Sequence, residues 1–576
     1  MVMSYSNPEL QGRGQSCAEY FDSNALALAS ETRDALSRKY LARYKKAKKT
    51  FKLYDGEMGN IVFPHLKNEN TKFTDQVRKE LKRSISDKKY TKAFYNPKHL
   101  FDTLEGFYGE DRKGISNNKY VIQAVSLIAD LIKPEQWLDP ALVSEDMDLM
   151  ENLTTLNTSA GFKFYGKKKK HVSRYMVRES IRIWDEISSG KNFFAIDVQP
   201  YIALTRCQIG SASVKLKYVR PVNDKGETKY KGRLVWCEDA AMVLFESIFA
   251  RPLINYLAVH WDNISMGKSP EYLRDFACNI SEQMSVWFSN DYEKYDSTVP
   301  AALVRLAFDI IKECFAPEYH RYIDFICTKF IHADIMMPDG NIYHVDRGIK
   351  SGSYFTQIIG SLCNAIMVFA FMLHKYDKIE EQRAERNPNY YKFKMEDCFK
   401  LNDGRWACQF MGDDNLFGVK GDFDLKAFRN YVNKVFGMKI NLDKCARGKR
   451  GEPCDYLKRK WTRLGEIRDE VDLMVNLMHP ERKRTYENYS PWHVLFGYFM
   501  TYRRSMERLG FSLYQIISGM KNSKYGIEAF YDMKREELPG AIAALKYSNI
   551  EEFTHLVDAL IREAESEYMT IWEDRA

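Results

Sequence analysis

Two adjacent aspartates between two short apolar segments are the feature that most constrains the fold of this chain. Residues 408–411 and 416–419 are β-like runs, and Gly-Asp-Asp-Asn joins them. An apolar run, a tight turn with glycine and a second apolar run predict a β-hairpin. Two negative charges at a hairpin tip repel each other, which favours a site where something positive binds, although Gly-Asp-Asp is also a common turn.

A third carboxylate is expected beside this pair. Asp291 follows an apolar run, residues 284–289, that predicts a buried strand. Successive strand residues point to opposite faces, so Asp413 and Asp414 cannot both point the same way, and one must face a neighbouring strand end. Asp291 is its natural partner, although a helix cap is the simpler interpretation of Asp291. An oxygen-only ligand set suits Mg²⁺, and two ions about 4 Å apart would hold both oxygens of a phosphoryl transfer.

Around these acids the chain alternates between predicted strands and helices. The apolar stretch 356–373 predicts a long helix, and residues 424–436 predict another that ends at Gly437. The stretches 37–52 and 78–92 mix basic and aromatic residues in a helical pattern, which fits either solvated helix faces or a nucleic-acid surface. Strand, helix, hairpin and helix in this order predict an α+β fold.

Composition excludes several classes of protein. Of 576 residues, 45% are hydrophobic and 28% charged, which is typical of a folded globular chain. A net charge of +8 permits a polyanionic partner without requiring one. The 11 cysteines include no CxxC pair, so we expect reduced thiols. No secretory signal is visible, and the longest apolar run, residues 358–373, predicts a buried helix because it is too short and too polar for a membrane span.

The order of these motifs resembles that of viral RNA-dependent RNA polymerases, most of all those of partitiviruses, which are capsid-packaged double-stranded RNA viruses. The similar stretches are NTSAGF at Asn157, KGRLVW at Lys231, DYEKYDSTVP at Asp291, GIKSGSYFTQIIGSLCN at Gly348, FMGDDN at Phe410, FGMKINLDK and YLKRKW. The resemblance runs from about residue 157 to residue 461, and the Ser-Gly block is its most specific part. Asn415 stands where this family usually has serine, a departure that bears on the subgroup more than on the chemistry.

The resemblance implies a right-hand polymerase of the α+β class, helix-rich, with fingers, palm and thumb and an antiparallel palm sheet. Residues 1–150 would form an N-terminal extension joined to the fingers, and residues 151–280 the fingers. The palm would comprise residues 281–345, with the first catalytic aspartate, and residues 346–465, with the Ser-Gly loop, the long helix and the Gly-Asp-Asp hairpin. Residues 466–576 would form the thumb.

The same resemblance implies the catalytic groups. Asp291, Asp413 and Asp414 would hold two Mg²⁺ ions, for which Mn²⁺ can substitute. Lys444 resembles the lysine that protonates the pyrophosphate leaving group. Lys439 is the nearby rival, because a general acid needs reach and the sequence does not supply it.

Ribose recognition is the argument for ribonucleotide substrates. The residues assigned to ribose and nucleotide selection are Asp296, Ser351, Gly352, Thr356 and Asn364. Where reverse transcriptases usually carry an aromatic residue that blocks a 2′-hydroxyl, Asp296 can accept a hydrogen bond from it, and Asn364 can add another. Tyr295 is an alternative gate residue, and Ser351 and Thr356 also fit ordinary capping and helix-interior positions.

Basic and small residues complete the implied site. The triphosphate would be bound by Arg220, Lys231 and Arg233, of which the last two share a strand face, although a charged exposed hairpin also fits this stretch. Template and primer RNA would contact Ser159, Gly161 and Lys458.

Together these features predict an RNA-dependent RNA polymerase of a double-stranded RNA virus, which transcribes and replicates the genome from rNTPs inside the virion, within the host cytoplasm. Expected partners are template and product RNA, rNTPs and capsid protein, with no membrane. A reverse transcriptase is one alternative, although Asp296 and Asn364 argue against it. A non-catalytic RNA-binding virion protein is another, but it gives no reason for carboxylates in this order.

Overall fold

Helices predominate in the part of the chain that the computed structural model describes. The described residues are 57–68, 72–86, 90–92, 97–109, 112, 114–145, 147–154, 156–206, 209–211, 233–386, 406–421, 423–480, 484–533, 537–548 and 550–573. The predicted basic helix 37–52 lies outside them. The α-helices are Glu57–Asn68, Lys72–Ser86, Pro97–Leu104, Lys119–Ile132, Leu149–Asn152, Ser173–Ser188, Ala240–His260, Pro270–Gln283, Tyr295–Thr298, Ala301–Lys312, His320–Ile331, Thr356–Arg386, Leu425–Phe436, Glu470–Met478, Pro491–Thr501, Arg503–Arg508, Leu513–Lys521, Gly540–Ser548 and Ile550–Glu573.

Within the described ranges the strands form four sheets, in which every pair is antiparallel except Tyr201–Arg206 with Ala333–Met336. They are β1 (Tyr90–Lys92), β2 (Tyr201–Arg206), β3 (Ile209–Ser211), β4 (Arg233–Cys237), β5 (Val286–Ser289), β6 (Ala333–Met336), β7 (Ile342–Val345), β8 (Trp406–Met411), β9 (Asp414–Val419), β10 (Ala446–Lys449), β11 (Cys454–Tyr456), β12 (Arg459–Thr462) and β13 (Gly465–Ile467). The fold is therefore helix-rich and α+β, as predicted.

One four-stranded sheet carries the acidic motifs, in the order β10-β5-β9-β8. Its strands β8 and β9 are the predicted hairpin, and β5 is the predicted strand before Asp291. The helix after the hairpin is also confirmed: the side chain of Asp424 caps its first turn, and Gly437 ends it in a left-handed conformation. The predicted long helix continues past residue 373 to Arg386, because a polar helical stretch follows the apolar one.

A second four-stranded sheet, β4-β2-β6-β7, crosses one of the predicted domain boundaries. Strands β6 and β7 come from the stretch 281–345 that was assigned to the palm, yet β6 pairs with β2 from the predicted fingers. Residue 281 is therefore not a boundary between sheets. The separation into 151–280 and 281–345 followed the motif order, whereas strand pairing joins segments that lie far apart in the chain.

The largest hydrophobic core surrounds the helix Thr356–Arg386, whose residues 358–373 are all buried. The expectation that the apolar stretch is too short and too polar for a membrane span is wrong, because Thr356–Lys378 and Ala240–His260 are each long and apolar enough to cross one. In the fold 89% and 67% of their apolar windows are buried inside the protein. Their apolar surface is thus matched by neighbouring helices and strands, which is the arrangement of core helices.

The N-terminal residues divide between two parts of the molecule. Residues of the first two helices, such as Val62, Leu66 and Leu81, are buried with the C-terminal helices that begin at Glu470. Strand β1 instead pairs with β3. Strand β1 therefore contacts the stretch predicted to form the fingers, and residues 57–86 pack on the stretch predicted to form the thumb. The predicted helix over 78–92 is wrong beyond Ser86, because Tyr90–Lys92 is a strand.

Truncation of Leu66 tests this packing. Leu66 is fully buried against the C-terminal helices, so Leu66→Ala should lower the free energy of unfolding by about 2–5 kcal/mol, the cost of a core cavity. Asn60→Ala on the exposed face of the same helix should change it by less than about 0.5 kcal/mol. Chemical denaturation followed by circular dichroism measures both, and equal effects would contradict the packing.

Candidate active site

Strand register brings the three predicted carboxylates to one end of one sheet. Phe288 of β5 pairs with Phe417 of antiparallel β9, and the same register continued places Asp291 across from Asp414. Met411 pairs with Asp414 in the hairpin, which leaves Asp413 in the two-residue turn. The three acids therefore lie at the same end of this sheet, where β5 ends and β9 begins.

All three carboxylates are accessible to a ligand. Asp413 and Asp414 are exposed, and the Asp291 side chain is 41% exposed. Their oxygens do not all lie within 4.8 Å of one another; among the described residues, only a His/Asp group elsewhere meets that limit. An exposed, oxygen-only donor set fits Mg²⁺ or Mn²⁺ better than a softer ion. A divalent cation would offset the mutual repulsion of the three charges and draw them together.

Lys444 lies next to the first of these acids. Its Nζ atom is 3.5 Å from Oδ2 of Asp291, and its side chain is 63% exposed. Lys439, the rival general acid, is also exposed, and its backbone carbonyl accepts a hydrogen bond from the Glu293 N–H. The Lys444 ammonium group therefore lies within ion-pair distance of the first candidate metal ligand.

The hairpin turn is fixed by the long helix beneath it. Gly412 has a φ of +63° at the first turn position, which glycine adopts without the penalty of a side chain. Its N–H donates to Oγ of Ser361 at 2.9 Å. Nδ2 of Asn364 lies within hydrogen-bond distance of the carbonyl oxygens of Gly412 (3.0 Å), Asp413 (3.1 Å) and Asp414 (3.4 Å). The backbone that carries both aspartates is thus held by two helix side chains.

A chain of buried amides then connects this helix to β5. Oδ1 of Asn364 accepts hydrogen bonds from Nδ2 of Asn415 (2.9 Å) and from the hydroxyl of Tyr292 (3.0 Å). Oδ1 of Asn415 accepts from the N–H (3.1 Å) and Nδ2 (3.0 Å) of Asn290. Asn364 and Asn415 are fully buried. Asn364 therefore points at the hairpin rather than at an open ribose site, and Asn415 is a structural link.

Sequence reasoning missed this network. Neither Asn290 nor Ser361 belongs to the site predicted from the sequence, and Asn415 is expected to bear on the subgroup more than on the chemistry. Their position in the sequence could have indicated the network, because Asn290 directly precedes Asp291 and Asn415 directly follows Asp414. Tyr295, the alternative gate residue, is buried and donates to the carbonyl of Gly360 at 2.6 Å, which places it in the core.

The Ser-Gly loop packs directly against the end of β4. The N–H of Trp236 donates to Oγ of Ser351 at 3.1 Å, and a Cβ at Gly352 would collide with the Trp236 carbonyl oxygen. The Ile349 N–H donates to the Asp296 carbonyl at 2.6 Å. The loop, β4 and the exposed Asp296 thus form one continuous surface. Oγ1 of Thr356 donates to carbonyl oxygens of its own turn, so its side chain serves the loop rather than an external ligand.

The predicted template residues reach the same strand end. Gly161 has a φ of +91°, and a Cβ there would lie 2.6 Å from Cα of Asp239. Its N–H donates to Oγ of Ser159 at 3.3 Å. Gly161 and Gly352 therefore both abut the segment 236–239, which joins the two loops at a single place.

The remaining predicted contacts are only partly described. Arg220, Lys231 and the Arg233 side chain lie outside the described residues, and the Arg233 backbone begins β4. Lys458 is exposed at the tip of the β11–β12 hairpin. Leu457 and Lys458 have φ values of +53° and +60°, a conformation that is uncommon for side chains of this kind. Such strain persists only where the surrounding structure enforces it.

Two buried acids lie behind the Ser-Gly loop. Glu246 accepts hydrogen bonds from the Ser353 hydroxyl (2.9 Å) and the Tyr354 N–H (2.6 Å), and Glu238 accepts from the Tyr201 hydroxyl at 2.5 Å. Burial raises the pKa of both glutamates, and the charge of Glu246 raises the pKa of Glu238 further. Because two adjacent charges in a buried site are costly, this environment favours the protonated form of the pair.

With this geometry in place, the family of the chain is clear. Residues 64–477 match the viral RNA-dependent RNA polymerase family, and the chain belongs to it. This family implies a right-hand polymerase fold, with which the helix-rich, mainly antiparallel architecture is consistent.

Individual relatives support the same assignment over shorter stretches. The RNA-directed RNA polymerase of Cryptosporidium parvum virus 1 (strain KSU-1) is 27% identical over 276 residues, which cover 45% of this chain and 47% of that protein. The genome polyprotein of bovine enteric calicivirus NB is 25% identical over 233 residues, or 37% of this chain and 9% of the polyprotein. The chain thus spans about half the length of the first relative and a small part of the second.

The buried acid pair predicts how stability depends on pH. A glutamate with a raised pKa in the folded state contributes stability below its unfolded pKa of about 4.3, and this contribution is lost as the pH rises. Glu238→Gln mimics the protonated acid, so its melting temperature should fall less than that of the wild type between pH 5 and pH 8.5. The gain should be about 1 °C for each kcal/mol of relieved penalty, because the entropy of unfolding grows with chain length.

Differential scanning fluorimetry across this pH range measures the effect. Glu179→Gln, a surface ion-pair partner of Arg182, is the control and should follow the wild-type curve. Parallel curves for Glu238→Gln and the wild type would contradict a raised pKa of Glu238 in the folded state.

Proposed function

We propose that this protein is an RNA-dependent RNA polymerase of a double-stranded RNA virus, which joins rNTPs to an RNA 3′-hydroxyl by two-metal nucleotidyl transfer. The observation that carries the proposal is the pairing register of β5, β9 and β8, which puts Asp291, Asp413 and Asp414 at the same end of the sheet. Membership of the viral RNA-dependent RNA polymerase family supports the same activity. Transcription and genome replication use this single reaction.

Asp291 and Asp413 are the main proposed metal ligands, and Asp414 supports them. When bound, two Mg²⁺ ions, or Mn²⁺ in their place, supply activation of the 3′-hydroxyl and neutralise charge on the triphosphate. The Asn364 amide bonds to backbone oxygens of the hairpin rather than to its carboxylate oxygens. The main chain is therefore fixed while the acidic side chains can adjust to a ligand.

Lys444 is the proposed donor of a proton to the pyrophosphate leaving group. Its position 3.5 Å from Asp291 supports this role, since a general acid must first reach the reacting groups. Arg220, Lys231 and Arg233 are proposed to bind the triphosphate, as cations suited to phosphate oxygens.

Asp296 and the Ser-Gly loop are proposed to recognise the ribose. Asp296 is exposed beside this loop, where its carboxylate can accept a hydrogen bond from a 2′-hydroxyl. Asn364 and Thr356 are proposed to act indirectly, by holding the hairpin and the Ser-Gly loop in place, since their polar atoms already bond within the fold. Ser159 and Gly161 on the template side and Lys458 on the primer side complete the proposed RNA contacts.

The wider setting follows from the reaction. Template and product RNA and rNTPs are the proposed partners, with capsid protein as the partner that would retain the enzyme inside the virion in the host cytoplasm. The Cryptosporidium parvum virus 1 relative is a viral RNA-directed RNA polymerase, which supports this setting.

Removal of either main carboxylate tests the reaction. Asp413→Asn and Asp291→Asn should each reduce rNTP incorporation on a primed RNA template with Mg²⁺ by at least about 100-fold, the scale on which misplaced reacting groups slow an enzyme. RNA binding should persist, because the basic surfaces are unchanged. Primer extension and fluorescence anisotropy at fixed salt measure the two quantities.

The exposed Asp275, which forms a surface ion pair with Arg274, provides the matched control. Asp275→Asn should extend primers like the wild type. Full activity in either main-carboxylate variant would remove the metal assignment, and a wild type that extends primers with dNTPs instead of rNTPs would favour a reverse transcriptase.

Asp296 and Asn364 should differ in their effect on sugar selection. Asp296→Ala should lower the preference for rNTPs over dNTPs about 10-fold, equivalent to about 1.4 kcal/mol for one lost hydrogen bond. Asn364→Ala should slow both substrates alike and lower the melting temperature, because it releases the hairpin backbone. The ratio of kcat/KM for each rNTP to that for the matching dNTP measures this preference. A change in that ratio for Asn364→Ala would show that Asn364 takes part in ribose selection.

A further inference from the structure

One face of the β6–β7 hairpin carries a repeated pair of chemistry-bearing residues. The sequences are His332-Ala-Asp334 and His344-Val-Asp346. Asp334 pairs with His344, and Ala333 pairs with Val345, so the next pair along brings His332 across from Asp346. Residues two apart on a strand share a face. The register therefore gathers two imidazoles and two carboxylates on one side of the hairpin.

Both of these imidazoles are hydrogen-bonded to one carboxylate oxygen, which brings three possible ligand atoms together. Nδ1 of His332 is 2.6 Å from Oδ1 of Asp346, and Nε2 of His344 is 2.9 Å from the same oxygen. The three ligand atoms all lie within 4.8 Å of one another, which no other His/Cys/Asp/Glu group in the described part of the chain achieves. The side chains are 22–39% exposed, so an ion from solvent can reach them.

Asp334 completes the arrangement from the far side of His344. Its Oδ1 atom is 2.7 Å from Nδ1 of that ring, which leaves Nε2 directed at the cluster. A carboxylate on the second nitrogen of a histidine ligand fixes the ring and its tautomer, and metal-binding histidines almost always have such a partner. The hairpin therefore contains both a set of ligands and the group that orients one of them.

The donor chemistry favours a first-row transition metal, of which Zn²⁺ is the redox-inert choice. Two imidazole nitrogens and one carboxylate oxygen suit Zn²⁺, whereas Mg²⁺ and Ca²⁺ prefer oxygen ligands alone. Three protein ligands leave a fourth tetrahedral position for water. The cluster thus differs in kind from the oxygen-only carboxylates of the candidate active site.

We propose that His332, His344 and Asp346 bind one Zn²⁺ ion, with Asp334 orienting His344. The ion would close the base of the β6–β7 hairpin, directly before residues 347–352 lead into the Ser-Gly loop. Lys350 already bonds to the carbonyls of Ile331 and Gly348 at this base, so a metal here would fix the start of that loop from a second side. The role is structural and independent of nucleotide transfer.

Zinc binding to the full chain tests the proposal without any assay of activity. Protein freed of metal by a chelator is titrated with ZnCl₂ in excess Mg²⁺, which occupies the oxygen-only carboxylates, and bound zinc is counted after desalting. The wild type should retain one equivalent and gain thermal stability. His332→Ala and Asp346→Asn should retain none, and Asp334→Asn should bind about 10–100-fold more weakly.

His555→Ala, at an exposed histidine of the C-terminal helix, is the matched control and should bind like the wild type. Circular dichroism without zinc identifies a variant that has failed to fold, and His332→Asn then replaces His332→Ala. The proposal would be overturned if the wild type retained no zinc, or if the folded His332 and Asp346 variants retained one full equivalent. The cluster would then be a network of hydrogen-bonded histidines and aspartates without a metal.

Discussion

The buried amide chain from Asn364 through Asn415 to Asn290 is the interaction on which the candidate site depends. It joins the long helix, the hairpin and the end of β5 at the point where the three acids emerge. A buried amide left without a partner costs about 1–3 kcal/mol. A one-residue slip of β9 along β5 would turn Asn415 to the other face and break these bonds. The amides therefore select the one register that brings the carboxylates together.

This arrangement separates rigidity from charge. The polar groups that fix the hairpin bind main-chain atoms, whereas the carboxylates remain exposed, and the Lys444 ammonium lies 3.5 Å from Asp291. Repulsion among exposed acids is weaker than among buried ones, because water screens it. Bringing them closer around a cation then requires side-chain rotation rather than movement of the sheet. The backbone of the site is thus fixed by groups other than the three proposed metal ligands.

Local patterns could be predicted from the sequence, and distant pairings could not. The hairpin, β5 and the helix capped by Asp424 all follow from residues within one short window, where periodicity and turn chemistry act directly. The packing of Leu66 on the C-terminal helices depends on surfaces several hundred residues apart. The hydrogen-bond partners of Asn364 could not be predicted for the same reason. Spacing shows that a polar residue is present but not which buried group it binds.

The specificity of the Ser-Gly block has a physical basis in packing as well as in chemistry. Lys350 is fully buried, donates to three carbonyl oxygens, and has its pKa lowered to about 7 by burial. Gly352 leaves no room for a Cβ beside Trp236, and the Ser353 hydroxyl bonds to the buried Glu246. Several consecutive positions are therefore constrained by β4 and by the acid pair before any ligand binds. A loop fixed at so many points changes its shape only as a unit, so substitutions behind it act on the surface that it presents.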